Sequence, residues 1–243
     1  MTLAKFWNTY GNTGSLKIKM TIYYTDDYVT LYNGDARDII ASLCGVIVTD
    51  PPYNVGYHYR EGGDNRSAQE YDDLLRLCVR APSVVVAYPE ITYRIAAILG
   101  ELPRRCAAWV YPANTPRQFR QIAWFGVDGF PDRVRQEYRN PTDKRIAERI
   151  ANGQMARGYD WREIPQVKNV SSEKTSHPCQ NPVSVMSWMI EATDAEIIID
   201  PFAGSGTTLV AAKQLGRKCI GIELDEQYCE ETAQRLSQQV LAI

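Results

Sequence analysis

Apolar positions along this 243-residue chain fall into two patterns: short solid runs, and longer stretches where they recur every three or four residues. The first suits strands buried on both faces and the second suits amphipathic helices. VTLYN at 29–33 reads as a strand that turns at GD. Residues 36–43 read as a short helix, and GVIVT at 45–49 as a buried strand delivering Asp50, so that the three form a β-α-β unit. Residues 70–79 place Leu74, Leu75 and Leu77 toward the core of a helix. SVVVAYP at 83–89 is another buried strand, and 91–99 a helix stopped by Gly100. CAAWVYP and QIAWFGV predict two further strands, paired antiparallel beyond the parallel part. The pattern resumes with a helix at 182–192, a strand at 196–200, a helix at 207–215, a strand at 218–223 and a closing helix at 226–240. Strands alternating with helices predict an α/β fold, a mostly parallel sheet with helices on both faces.

Three stretches interrupt this rhythm. Residues 1–19 are polar, with Gly11, Asn12 and Gly14 close together, and read as a loose leader; Met20 is the expected native start. Residues 56–69, around GYHYREGGDNRSAQ, read as a flexible loop able to act as a lid. Residues 128–172 are charge-rich, with Arg133, Arg135, Arg139, Lys144, Arg145, Arg149, Arg157, Arg162 and Lys168 among interleaved acids. Two readings stay open for that insertion. Its charges pair along a solvated helix near 143–150, or Tyr138, Asn140, Gln154, Tyr159, Trp161 and the arginines face nucleic acid. The chain thus divides into a leader (1–19), an N-terminal half (20–127), an insertion (128–172) and a C-terminal half (173–243).

Composition narrows the class. At 44% hydrophobic residues the chain can bury the core of one domain, and 27 Lys plus Arg against 29 Asp plus Glu give a net charge of −2, so any nucleic-acid surface must be local. No apolar stretch approaches the roughly 20 residues of a membrane span, and a cytoplasmic protein is expected. Cys44, Cys78, Cys106, Cys179, Cys219 and Cys229 are scattered without a CxxC pair and read as small core residues. His58 and His177 form no metal motif, so no metal is expected.

Two segments carry candidate chemistry. TDPPYNVGY at 49–57 places a carboxylate, two prolines and an aromatic ring after a buried strand. Proline fixes the backbone and lacks an N–H, so the Pro51 carbonyl can stand beside the Asp50 carboxylate as a second acceptor for one amino group, with Tyr53 as a stacking surface. DPFAGSGTT at 200–208 places Gly204, Ser205 and Gly206 between a strand and a helix. Glu223 follows about 20 residues on at the next strand end, where a carboxylate can accept both hydroxyls of a ribose. Leu209 stands where a dinucleotide fingerprint wants a third glycine, which favours a cofactor without a pyrophosphate.

DPPY, FAGSG and HPCQNP at 177–182 resemble the catalytic, cofactor and helix-leading motifs of the DNA amino-methyltransferases, which methylate the exocyclic nitrogen of adenine or cytosine using S-adenosylmethionine. The third motif is usually HPTQKP, from which Cys179 and Asn181 depart. The order, catalytic motif first, resembles the β group of that family. The resemblance implies a circularly permuted, Rossmann-like methyltransferase fold with a seven-stranded sheet, whose first two strands come from the C-terminal half. It implies a catalytic set of Asp50, Pro51, Pro52 and Tyr53. The implied cofactor set is Asp35, Asp50, His177, Asp200, Phe202, Gly204, Ser205, Gly206, Thr207 and Glu223, with Asp35 beside the adenine. His177 is expected to cap the following helix or to line the methionine end of the pocket, and Asp200 to hold the turn backbone. The implied partner is double-stranded DNA with a flipped-out target base. Adenine is favoured by Asp50, since cytosine enzymes more often carry serine there. The short insertion leaves both a homodimer and recognition of few bases open.

Overall fold

A computed structural model describes residues 20–57, 64–129 and 134–238. In chain order the strands and helices are β1 (Thr21–Thr25), β2 (Val29–Asn33), β3 (Val46–Thr49), α1 (Ala68–Cys78), β4 (Ser83–Ala87), α2 (Pro89–Leu99), β5 (Arg105–Val110), β6 (Phe119–Phe125), β7 (Arg135–Gln136), α3 (Lys144–Ala151), β8 (Ala156–Arg157), β9 (Trp161–Glu163), α4 (Val183–Glu191), β10 (Ile197–Asp200), α5 (Thr207–Gln214), β11 (Lys218–Glu223) and α6 (Glu226–Gln238). Nine strands make one sheet in the order β1-β2-β11-β10-β3-β4-β6-β5-β9. Pairing is parallel from β2 to β4 and antiparallel at β4–β6 and β5–β6. The seven expected strands form its centre, with the two C-terminal strands β10 and β11 seated between β2 and β3 as the permutation requires.

The strand predictions hold, but the single short helix of the first unit does not. β2 and β3 are separated by two strands, roughly 14 Å of sheet, and the connection between them is two 3-10 turns (Ala36–Asp38 and Ile40–Ser42) rather than one helix. Ile39, at φ −129° and ψ −16°, interrupts any continuous α-helix there. Two edge strands went unseen in the sequence. β1 pairs antiparallel with β2 through a register slip between Ile22 and Tyr24, and β9, from within 128–172, pairs parallel with β5. The rest of that segment includes the exposed helix α3 and the β7–β8 ribbon.

Alternation along the strands divides the core. Val48, Val84, Val86 and Ile198 face Met186, Met189, Leu209 and Leu236 of α4–α6. Ile47, Val85, Ala87 and Ile199 face Leu74, Leu75, Ile91 and Ile95 of α1 and α2. Each fully buried aliphatic side chain contributes about 1.5–3 kcal/mol. Gly221 lets α5 lie directly on β11, because a Cβ there would sit 2.6 Å from Leu209 Cδ2. Helix ends follow sequence chemistry: Ser67 and Glu70 close a capping box on α1, and Gly100 takes the left-handed conformation after α2. Among the cysteines, Cys78, Cys219 and Cys229 are buried, but Cys44 and Cys106 are exposed, a correction to the core reading. Cys106 points away from the covered face near the sheet edge, and Cys44 lies in the turn before β3. Among the described residues no helix is long and apolar enough to cross a membrane.

Candidate active site

Five neighbouring parallel strands end at the same sheet edge, so Asp35 beyond β2, Glu223 of β11, Asp200 of β10, Asp50 after β3 and Tyr88 after β4 converge there. Because β6 runs the other way, with Gln121 opposite Ala87, its first residues reach the same edge and add Arg120. A cavity of about 410 Å³ opens at this crevice, large enough for a nucleoside-sized ligand. Its walls include Asp35, Asp50, Pro51, Pro52 and Tyr53 from the N-terminal half, and His177, Asp200, Phe202, Gly204, Ser205, Thr207 and Glu223 from the C-terminal half.

Gly206 does not line the cavity. It has φ +72°, and a Cβ would lie 2.3 Å from Thr232 Cγ2, so its smallness serves the packing of the loop on α6. Gly204, at φ +51°, is the glycine that faces the cavity, where a Cβ would meet His177 Nε2 at 3.0 Å.

The C-terminal wall is fixed by carboxylates that hold backbone. Glu223 Oε2 accepts from Gly204 N at 2.7 Å and Oε1 from Asp225 N at 2.9 Å. Burial raises Glu223 to about 7 against the relief those two N–H groups give. Asp200 Oδ1 accepts from Thr49 Oγ1 at 2.7 Å and from Phe202 N at 3.1 Å, tying β10 to β3. Burial raises it to about 6. Asp35 has its pKa lowered, first by its hydrogen bonds from the Arg37 side chain, and it also caps the first 3-10 turn. His177 packs edge-on to Tyr228 at 4.7 Å, accepts from Cys179 N through Nδ1 at 3.3 Å, and is pushed down to about 4 by burial, so it is neutral at pH 7.

On the N-terminal wall the Asp50 carboxylate is held by protein groups. Tyr53 donates its hydroxyl to Oδ1 at 2.5 Å; Asn181 Nδ2 and Arg120 Nη1 donate to Oδ2 at 2.7 and 3.1 Å. The Tyr53 ring leans on Tyr88, with centroids 5.2 Å apart. Tyr71 of α1 donates to the Pro52 carbonyl at 2.7 Å, fixing the proline pair from behind.

The following loop is gathered around Asp64, whose carboxylate accepts from Asn54 N at 2.7 Å and Val55 N at 3.0 Å. Asn54, at φ +56°, exchanges side-chain hydrogen bonds with the Arg66 backbone at 2.9 and 2.7 Å. The neck of the expected lid is therefore pinned, while His58 and the rest of 58–63 lie outside the described residues. Arg133 of the insertion does too.

Sequence reasoning missed Arg120, Tyr71, Tyr88 and Asp64, and left Asn181 without a contact. Arg120 carried a signal, since it shares a strand face with Ile122 and Trp124 in FRQIAWF, where an apolar residue is expected. Tyr71 and Asp64 carried none, because tyrosine and aspartate occur freely on helices and loops. Among the described residues no group of three or more metal-ligating side chains is assembled.

The comparisons with known proteins agree with this architecture. The chain is 51% identical to the YubD protein of Escherichia coli (strain K12) over 219 residues, covering 84% of this chain and 88% of YubD. The structure titled M1.HpyAVI–SAM complex superposes with a TM-score of 0.58 at 22% identity, covering 86% of this chain and 98% of that one. The PvuII DNA methyltransferase (cytosine-N4-specific) superposes with a TM-score of 0.61 at 16% identity, covering 93% and 92%. A family model described as DNA methylase matches residues 100–235. Carrying that match on the permuted α/β sheet, with both motifs at one edge, this chain belongs to the N6/N4 DNA methylase family.

Proposed function

We propose that this protein transfers a methyl group from S-adenosylmethionine to the exocyclic N6 of adenine in double-stranded DNA. The observation that carries the reading is the position of DPPY: Asp50 leaves β3 in the same cavity as Gly204 and Glu223. The cofactor fits the residues present. Glu223 is a half-buried carboxylate at a strand end with its backbone ties made, suited to a ribose diol, and Gly204 leaves room that a Cβ would take from His177. Asp35 would face the adenine; His177, Asp200, Phe202, Ser205 and Thr207 would line the remainder. When bound, the cofactor supplies an activated methyl on a sulfonium.

The chain supplies the rest. An exocyclic amino nitrogen is a poor nucleophile because its lone pair is delocalised into the ring. Asp50 and the Pro51 carbonyl accept hydrogen bonds from its two N–H groups, localise that lone pair and stabilise the positive charge that develops on nitrogen, and one of the two protons leaves during or after transfer. Asp50 need not be a strong base. Tyr53 and Tyr88 form a paired aromatic wall on which a flipped base stacks. Within 128–172, Arg139 lies over the Trp161 ring at 3.3 Å and near Tyr159 at 5.0 Å, an aromatic-cation surface of the kind that contacts nucleic acid; this segment is read as the target-recognition region.

N4 of cytosine is the rival acceptor, since the same two acceptors and the same fold serve it. The test is to incubate the protein with labelled S-adenosylmethionine and unmodified DNA, digest to nucleosides and weigh the products, with Asp50→Ala as control. N6-methyladenine is expected. N4-methylcytosine alone overturns the choice of base, and no transfer to any DNA overturns the catalytic reading.

A further inference from the structure

Among the described residues, three side chains reach the Asp50 carboxylate, Tyr53 from the same loop and Arg120 and Asn181 from distant parts of the chain, and the one cation among them is Arg120. Arg120 Nη1 and Asn181 Nδ2 share Oδ2, and Asn181 Oδ1 accepts from the same Nη1 at 2.8 Å, which closes a ring of amide, guanidinium and carboxylate. Asn181 thus holds both charges at once. The Arg120 side chain is only 10% exposed, and its Nε has no hydrogen-bond partner. Its guanidinium lies 5.5 Å from the Tyr53 and Tyr88 ring centroids and 5.4 Å from that of Trp109. Those rings give a guanidinium buried this deeply some support, but its charge is chiefly compensated by an anion. Its position comes from register: residue 120 stands opposite Trp109, at the end of β6 that shares the catalytic edge.

Resting on the methyltransferase reading above, we infer that Arg120 is a positioning residue for methyl transfer: with Asn181 it clamps Oδ2, holds Asp50 as an anion and turns Oδ1 toward the substrate amino group. Oδ2 then has both lone pairs engaged. Oδ1 accepts from the Tyr53 hydroxyl, which leaves it one lone pair for an incoming amino proton. Without the guanidinium, the surroundings of Asp50 favour a neutral acid. Burial raises its pKa, and Arg120 leads the groups that pull it back. Asp200 of β10 is a nearby negative charge, and the phenols facing the cluster are Tyr53, Tyr71 of α1, Tyr88 and Tyr111. A protonated Asp50 would present a donor where the reaction needs an acceptor.

The test is the pH profile of kcat with purified full-length protein, unmodified DNA and S-adenosylmethionine. Arg120→Gln is expected to move the acid limb up by a pH unit or more, so that kcat on that limb falls at least tenfold while the loss shrinks toward high pH, with KM for S-adenosylmethionine within twofold of wild type. Arg120→Lys, which keeps the charge, is expected to keep the acid limb near its wild-type position. Adding Asn181→Lys to Arg120→Gln places an ammonium within reach of Asp50 and should bring the limb back down. A limb that does not move in Arg120→Gln overturns the inference, as does a loss of kcat equal at every pH. Melting temperatures give a readout independent of turnover: Asp50→Asn should cost less in the Arg120→Gln background than in wild type, and should restore folding if Arg120→Gln alone fails to fold. Additive losses would sever the link. Absence of transfer by the wild type sinks the methyltransferase reading instead, and the melting cycle still judges the Asp50–Arg120 pair.

Discussion

Gly206 has no room for a single added methyl group. It precedes α5 at φ +72° and ψ 18°, a left-handed conformation that costs alanine about 1–2 kcal/mol. A Cβ added there would lie 2.3 Å from Thr232 Cγ2, 2.7 Å from Oγ1 and 2.9 Å from Cβ. Any rotamer of Thr232 leaves at least one γ heavy atom and its fixed Cβ against the added methyl, and the residue is fully buried on α6, so the loop or helix must shift. Overpacking of this kind costs about 1–3 kcal/mol. Gly206→Ala should therefore lose about 2–5 kcal/mol in urea unfolding, a large share of the ~5–15 kcal/mol that holds a domain together. Thr232→Ala removes the two closest atoms. In that background the Gly206→Ala penalty should shrink toward the backbone share, about 1–2 kcal/mol. A loss under about 1 kcal/mol, or an equal loss in both backgrounds, would refute the reasoning. Gly204→Ala provides the contrast, since its Cβ meets the end of His177 at 3.0 Å inside the cavity and should weaken cofactor binding more than stability.

Three further outcomes follow from the site. Glu223 rises to about 7 in the fold, above its ordinary 4.5, so the folded state binds the extra proton; the stability this contributes is present below pH 4.5 and lost as pH rises through about 7. The unfolding free energy of the ligand-free protein should fall by about 3 kcal/mol across that window, more with Asp200 acting in the same direction. Glu223→Gln should flatten the curve, and a wild-type slope unchanged by that substitution would count against it. Tyr71→Phe deletes the 2.7 Å hydrogen bond to the Pro52 carbonyl and should cost about 1 kcal/mol of stability while lowering kcat more than it raises KM for S-adenosylmethionine; a pure KM effect would show that Tyr71 does not fix the prolines. Asp64→Ala frees the Asn54 and Val55 amides, so limited proteolysis should cut the 54–66 loop several-fold faster than in wild type, and an unchanged rate would mean that Asp64 does not pin the neck.

What the chain reveals by itself depends on the range of the interaction. Strands β2, β3, β4, β10 and β11 were legible because solid apolar runs are local patterns, and the glycine turn before α5 and the capping box on α1 are short-range backbone chemistry. The edge strands β1 and β9 were not legible, because TIYYT and WRE bury no residue fully and take strand form only when a neighbour offers hydrogen bonds. The same limit separates Gly204 from Gly206. Both read as close-approach glycines in FAGSG, yet one faces the cavity and the other faces α6, a distinction set by a residue 26 positions further on.

Sequence alone determined the chemistry on offer: a carboxylate and two prolines at a strand end, a glycine turn with an acid one strand later, and an order that required permutation. Tertiary structure decided who controls that carboxylate. Asn181 and Arg120 meet Asp50 across 131 and 70 residues of chain, and no periodicity encodes such a meeting. It arises because β6 runs antiparallel beside β4 and the 173–182 segment crosses the same sheet edge, so a buried charge finds its partner only once the sheet has assembled.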